Sequence, residues 1–373
     1  MTDIASQKFA RQDGRGRQAT SPTAIPFPGW KDILWRLYRS INNDRVMLTA
    51  AGVTYYVLLA LVPTLTAFVS IYGLFNTRSS VVDQVNLLAG IVPTGGLEII
   101  RDQLTRITSE SDGTLGVTLL VSLAIALWSA SAGVKAMFEG MNIAYHETEK
   151  RSFIRVNLLA LGFTLGGAIA GVLVLGVVLA MPPLLALLPG GEGLEWAVRI
   201  ASYIVMLGVV MLGIGALYRW GPSRQEAKWR WITPGAIMAV VAAVATSLLF
   251  SWYVANFSDY NATYGSLGAL IGLLTWIWLT ATLVIIGAEL NSEVEHQTAR
   301  DSTTGAEQPL GERGAAMADS VGRVWPPDRK KMEGATEPAP QSRRSGDGAW
   351  VLALGVAALL ALANRRQDGN TRK

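Results

Sequence analysis

The sequence contains no cysteine, only two histidines, and few charges, with Asp, Glu, Lys and Arg together making up 16% of the residues. Ordinary soluble domains carry roughly 25% charged residues. The missing cysteines exclude disulfides, thiolate metal sites and a cysteine nucleophile. The two histidines, His146 and His296, lie far apart in the chain, so they form no clustered motif of the kind that zinc hydrolases use. The sequence therefore predicts no metal, no cofactor and no enzymatic activity.

Charge is also missing from the centres of six long apolar stretches that fill most of residues 46–290. A membrane-spanning helix needs roughly 20 consecutive, mainly apolar residues. The stretches predict an all-α, polytopic membrane helix bundle with spans at about 46–75, 114–136, 156–181, 200–218, 232–257 and 264–288. Ionisable residues at membrane depth usually mark ion paths or proton relays. Their absence from the span centres argues against transport that depends on a buried proton carrier.

Lysine and arginine are unevenly divided between alternate loops, with 23 on one side of the predicted spans and 3 on the other. The richer side includes the basic N-terminal tail, residues 1–45, and the segment that follows the sixth span. By the positive-inside rule both are expected to lie in the cytoplasm. The polar tail has no apolar core of a signal peptide, so no cleaved leader is expected.

Three regions lie outside this six-span core. Residues 76–113 form the first outer loop, whose apolar spacing predicts two short amphipathic helices, either a cap over the bundle or a gate or partner surface. Residues 291–348 are rich in small and mixed-charge residues and predict a flexible cytoplasmic linker. Within residues 349–373, the fifteen apolar positions 349–363 are short for a span. They are either a seventh span or a helix at the interface.

Small residues four apart in the third and sixth spans, for example Gly162 with Gly166, predict close helix packing in lipid. Uncharged polar residues recur as well, with Tyr55 and Tyr56 in the first span and Ser129 and Ser131 in the second. Such groups usually hydrogen-bond to neighbouring helices or to their own backbone. The alternative is a polar cavity around Pro63, where proline is expected to kink the first span.

The nearest charges stand at the cytoplasmic ends of two spans. Lys135 and Glu139 are four residues apart near the end of the second span, and Glu289 lies near the end of the sixth. Lys135 is expected to extend its ammonium to the lipid headgroups. A second hypothesis is an inner latch, in which Lys135 pairs with Glu289 or Glu139.

Several motifs resemble the bacterial YihY/virulence factor BrkB family of inner-membrane proteins, long labelled ribonuclease BN. They are TYYVLLALVP at 54–63, LWSASAG at 127–133, MNIAY at 141–145, WRWITPGA at 229–236, YNATYGSLG at 260–268 and GAELN at 287–291. The most specific run contains Asn261 and Tyr264, which join the candidate gating positions. The resemblance covers about residues 30–295 and implies six membrane helices with both ends of this core inside. It implies no settled activity.

Two functions remain open from the sequence. The first is transport or lipid and envelope handling without a buried proton carrier, and the second is a non-transporting membrane scaffold or envelope-integrity factor. The expected partners are membrane lipids, together with either a second copy of the chain or an envelope protein. Nucleic acid is not expected, because the basic segments flank membrane helices where anionic lipid accounts for them. Ribonuclease activity is not expected either.

Overall fold

The computed structural model describes residues 10, 12–75, 115–187, 192–257 and 267–325. This part of the chain contains a short 3-10 helix at Pro22–Ala24 and seven α-helices. The helices are α1 (Phe27–Asn43), α2 (Val46–Phe75), α3 (Leu115–Ala144), α4 (Phe153–Leu187), α5 (Glu192–Trp220), α6 (Trp229–Phe257) and α7 (Leu267–Glu295). The predicted outer loop, Asn261, Tyr264 and the apolar segment 349–363 lie outside the described residues.

Helices α2 to α7 correspond one to one with the six predicted spans, and their lengths range from 29 residues for α5 to 35 for α4. A helix of 29 residues is about 44 Å long, which exceeds the roughly 30 Å of a bilayer core. Four stretches of the described residues are long and apolar enough to cross a membrane, namely Phe153–Gly171, Trp196–Trp220, Trp229–Val254 and Leu270–Glu295. In α2, the apolar stretch Val46–Ala60 is shorter. The predicted all-α membrane bundle is confirmed.

Large apolar side chains cover the outside of the bundle. Ile204 on α5 is 64% exposed and Leu248 on α6 is 68% exposed. Water would penalise such a surface, whereas lipid chains solvate it without cost. The outward faces of α5 and α6 are therefore lipid-facing.

Helix α7 is the centre of the described bundle, since it packs against α1, α2, α3 and α6. Its Ile285 and Ala288 are buried in a core with Val46 at the start of α2 and Met141 near the end of α3. This core lies toward the ends of the helices that meet α1. The tightest packing of the described bundle is therefore close to its polar end.

The backbones of α6 and α7 approach each other closely where Gly235 meets Gly287. A Cβ atom added at Gly235 would collide with the carbonyl oxygen of Gly287 and would lie 2.6 Å from Cγ of Asn291. Added Cβ atoms at Gly162, Gly166, Gly167 and Gly171 of α4 would meet nothing within 4 Å. The prediction that the small residues of the third span mediate close packing is therefore wrong, because α4 presents them to open space.

The polar end of the bundle, called the base here, consists of residues 12–45, 145–152 and 221–228, the end of α7 from residue 289, and residues 296–325. The predicted basic tail contributes α1, which buries Ile33, Arg36 and Ser40 and exposes Phe27 and Tyr38. The prediction of a flexible linker from residue 291 is wrong for the first part of that segment. Helix α7 continues to Glu295, and beyond it Gln297, Thr298 and Ser302 are completely buried. Their side chains bond to other segments of the base, which composition alone cannot reveal.

We expect Gly235→Ala to destabilise the bundle, because the new methyl group has no space between α6 and α7. Overpacking of this kind costs about 1–3 kcal/mol. Thermal or denaturant unfolding of the purified protein in detergent micelles measures the effect. Gly166→Ala is the matched control, and it should leave stability unchanged or slightly raise it, since alanine is the better helix former. Equal losses in the two variants would contradict the assigned crossing.

Candidate functional site

An open pocket lies between α2 and α3, with a volume of about 490 Å³. Thr49, Gly52, Val53 and Tyr56 of α2 form one wall, and Ala132, Lys135, Ala136 and Glu139 of α3 form the other. The two walls are mainly apolar, and Lys135 and Glu139 place one cation and one anion on the same face of α3. The pocket therefore combines apolar surface with both signs of charge.

The structure brings three of the predicted candidate residues, Tyr56, Lys135 and Glu139, together in this pocket. Lys135 does not form the proposed latch with Glu289. Its ammonium donates to Oδ1 of Asn157 on α4 at 2.9 Å and lies 5.0 Å from the ring centre of Trp128. These contacts join the lysine ammonium to α4 and to a ring of its own helix.

The remaining predicted positions on α2 and α3 are separate from the pocket. Tyr55 is 57% exposed and its ring meets that of Tyr56 edge to face. Ser131 donates to the carbonyl of Trp128 at 2.7 Å, which is the local backbone bond expected for serine in a membrane helix. Ser129 is half-buried. Pro63 falls within α2, and its side chain is outside the described residues.

Glu289 occupies a different place from the one predicted, because its side chain is buried in the bundle and is only 1% exposed. Neither of its carboxyl oxygens has a hydrogen-bond partner among the described residues. One of its acidic neighbours is Asp44, in the turn between α1 and α2. A buried ionisable group without a partner is expensive. The base therefore contains charge that the apolar spans do not.

Arg36 connects three parts of the base. Its Nε atom is 2.5 Å from Oε2 of Glu293 on α7, and both side chains are buried. Its terminal nitrogens donate to the side-chain oxygen of Gln297 at 2.9 Å and to the carbonyl of Arg323 at 2.8 Å. One guanidinium thus joins α1 to α7 and to the segment after α7.

A second buried ion pair lies nearby, between Arg224 and Glu295, whose atoms approach to 2.6 Å. The guanidinium of Arg224 also lies 4.7 Å from the ring centre of Tyr145. Desolvation by burial, together with the neighbouring Glu295, raises the pKa of Tyr145, so its hydroxyl stays neutral. This pair attaches the turn between α5 and α6 to the end of α7.

The two histidines face opposite electrostatic conditions. The Asp44 carboxylate, 3.5 Å from Nε2 of His146, raises the pKa of that imidazole, and burial opposes the effect. His296 contacts Glu293 at 3.5 Å, but desolvation by burial outweighs this carboxylate and lowers its pKa. The pKa values of the two imidazoles are therefore shifted in opposite directions.

Two corners of the base have left-handed backbone. Arg45, between α1 and α2, has φ 50°, and His146, just after α3, has φ 55°. This conformation costs roughly 1–2 kcal/mol for a residue with a side chain. Since Asp44 adjoins one corner and His146 forms the other, the two strained turns meet at the carboxylate–imidazole contact. Such strain often accompanies a functional arrangement.

Sequence reasoning missed Asp44, Glu293 and Glu295 as members of a buried cluster. One signal was available, because Glu289 and Glu293 are four residues apart and share a face of α7. The partners were not visible, since Arg36 and Asp44 precede them by about 250 residues in the chain. The described residues hold no group of three His, Cys, Asp or Glu side chains that converges as a metal site.

Long lipid-facing helices, a laterally open pocket and a polar base define a polytopic helical membrane protein. The model of the family "Virulence factor BrkB" matches residues 37–311, which is most of the chain, and the protein belongs to this family. The match includes the pocket and about half of the base.

Curated relatives agree with this membership. A putative ribonuclease-like protein of Bacillus subtilis is 31% identical over 65% of this chain and 88% of its own length. A UPF0761 membrane protein of Neisseria meningitidis serogroup B is 26% identical over 70% of this chain, and one of Xanthomonas campestris is 28% identical over 69%. The aligned part spans 63% of the Neisseria protein and 59% of the Xanthomonas protein. No solved structure matches the chain.

We expect Arg36→Gln to destabilise the protein by about 3–5 kcal/mol, the usual cost of leaving one member of a buried ion pair without its partner. Unfolding in detergent micelles measures this loss. Arg39→Gln removes the same charge from an exposed position on the same helix and is the control. A loss of equal size in both variants would show that the charge of α1, and not the contact with Glu293, stabilises the base.

Nuclear magnetic resonance of ring-labelled histidine should give two titration curves, one for each histidine, on either side of the ordinary pKa of 6.5. Asp44→Asn should lower the pKa of His146 and leave that of His296 below 6.5. Because the pKa of His146 is raised in the folded state, its contribution to stability is present at low pH and is lost as the pH rises through that pKa. A curve for His146 that does not change in Asp44→Asn would exclude the contact.

Proposed function

We propose that this protein handles phospholipids in the bacterial inner membrane, with its base and its N-terminus in the cytoplasm. The observation that carries the proposal is the pocket between α2 and α3, whose apolar walls present Lys135 and Glu139 side by side. Most of the lysines and arginines among the described residues belong to the base, which supports the orientation.

The depth of the pocket fits a lipid headgroup. At about 1.5 Å per residue, Glu139 lies roughly 8 Å and Lys135 roughly 14 Å from the end of α3. Both charges are thus between the base and the middle of the bundle, at the depth of one leaflet. Tyr56 stands on the opposite wall, 42% exposed, and adds a hydroxyl that can donate to an anionic oxygen.

The charges select a class of lipid. Lys135 suits a phosphate, because an ammonium and a phosphate form charge-assisted hydrogen bonds. Glu139, one helical turn away, suits a lipid amine. The apolar surface of Val53, Ala132 and Ala136 suits the start of the acyl chains. A phospholipid that carries both an amine and a phosphate, such as phosphatidylethanolamine, matches this arrangement better than an inorganic ion does.

A scaffold role is the second candidate, and the folded base favours it. Residues 296–325 pack against α1 and the turns to form a polar surface on which a partner protein or a second copy can dock. A scaffold needs no lipid in the pocket, so retention and movement of lipid distinguish the two functions.

We expect the purified protein to retain phosphatidylethanolamine in native mass spectra, and Lys135→Gln to reduce this retention about tenfold. A charge-assisted hydrogen bond is worth about 1.5–3 kcal/mol, and about 1.4 kcal/mol corresponds to a factor of ten. Lys31→Gln removes a lysine from the exposed face of α1 and should have no effect. Glu139→Gln should weaken the amine lipid selectively and leave phosphatidic acid unaffected.

In liposomes, the wild type should accelerate movement of a fluorescent phosphatidylethanolamine between leaflets, and Lys135→Gln should reduce that rate. Retention without accelerated movement would favour the scaffold role. Absence of retention across amine and acidic phospholipids would exclude the pocket as a lipid site. RNA cleavage by the same preparation, lost in His146→Ala, would instead support the ribonuclease label.

A further inference from the structure

We propose that Asp44 and Glu289 form a proton-binding site, in which the two carboxyl groups share one proton at neutral pH. The site lies where the turn between α1 and α2 meets α7. It does not depend on the lipid pocket, which has other lining residues.

The first argument is the pairing of two acceptors. Both carboxyl oxygens of Glu289 are buried without a donor among the described residues, whereas Oδ2 of the neighbouring Asp44 lies 3.5 Å from Nε2 of His146, too far for a strong hydrogen bond. Two ionised carboxylates cannot occupy one buried site, because like charges at close range in a low dielectric repel strongly. One proton resolves this, since the protonated acid donates to its neighbour.

The second argument is that two buried arginines at this end of α7 bind other carboxylates, and that His146 contacts Asp44. Arg36 binds Glu293 and Arg224 binds Glu295, so neither guanidinium neutralises Glu289. The hydroxyl of Tyr218 donates to the carbonyl of Val284 at 2.7 Å. The titratable and charged groups around the pair are Arg36 from α1, Tyr145 and His146 from the end of α3, Tyr218 and Arg224 from α5 and its following turn, and Glu293, Glu295 and His296 from α7 and its end.

The third argument is access. The side chain of His146 is 51% exposed, that of Asp44 is 19% exposed, and Glu289 is 1% exposed. These three groups form a series from the surface of the base to its interior, and adjacent members contact one another. A proton can therefore reach the pair by way of the imidazole, which is the usual side chain for proton transfer near neutral pH.

A proton fits this site better than a metal ion does. A bound metal requires several converging ligands, and the described residues contain no group of three suitable side chains. The proton site also adjoins the start of α2, whose Thr49 lines the pocket five residues after Asp44. A change of charge at the pair therefore acts on the helix that forms one pocket wall.

Infrared spectroscopy of the full chain in lipid nanodiscs tests the site. The wild type should show the stretching band of a protonated carboxyl at neutral pH, with the shift in heavy water that marks an acid. This band should disappear in Glu289→Gln and move in Asp44→Asn, in which the hydrogen-bond partner changes. Glu307→Gln, which neutralises an exposed acid of the base, should leave it unchanged.

If either variant fails to fold, the wild-type spectrum alone still tests the proposed proton site. Absence of a protonated carboxyl at neutral pH would overturn the proposal. So would stabilisation of the wild type by millimolar magnesium, calcium or zinc that is absent in Glu289→Gln, since the site would then hold a metal. Unfolding at increasing pH gives an independent check, because the wild type should lose stability as the shared proton leaves, whereas Glu289→Gln, whose amide donates permanently, should not.

Discussion

The buried contact between Arg36 and Glu293 is the constraint on which the base depends. The guanidinium fixes α1 against α7 and binds the chain that follows α7, and it satisfies acceptors that would otherwise be buried without a donor. Because α7 also packs against α2, α3 and α6, this single contact sets the position of α1 relative to the whole bundle. The turn between α1 and α2, with Asp44 and the left-handed Arg45, is then held beside His146 and Glu289. The pocket wall on α2 begins one turn further along.

The membrane helices were predictable because their cause is local. A run of apolar residues long enough to cross a bilayer is visible in any window of the sequence, and the structure has a helix at each such run. The pocket was partly predictable, since Tyr56, Lys135 and Glu139 stood out as polar groups on apolar helices. That they face one pocket depends on the way α2 packs against α3, which no single stretch of sequence reveals.

The base was the least predictable part, because its contacts are not local in the sequence. Residues 296–325 have the composition of a flexible segment, but Arg17 donates to the carbonyls of Gln297 and Gly322, and Arg313 donates to that of Ala318. These bonds join residues that are far apart in sequence or lie within an irregular loop. Likewise, the sequence shows that the span centres lack charge, but it does not reveal that Glu289, near the end of α7, is buried beside Asp44. The glycines illustrate the same limit, since Gly235 and Gly287 meet closely whereas the more regular series on α4 meets nothing.

The joining of residues 15–36 to residues 293–325 also has a consequence for biogenesis. A membrane protein is made and inserted from its N-terminus, so α1 emerges when its partners do not yet exist. Arg17 and Arg36 must stay hydrated, or rest among lipid headgroups, until about 290 further residues have been made. The base is therefore the last part of the described bundle to assemble. A chain truncated shortly after α7 would retain every described membrane helix and the contact between Arg36 and Glu293, but it would leave Arg17 without its acceptors. Quality-control proteases would then meet an inserted but unfinished protein.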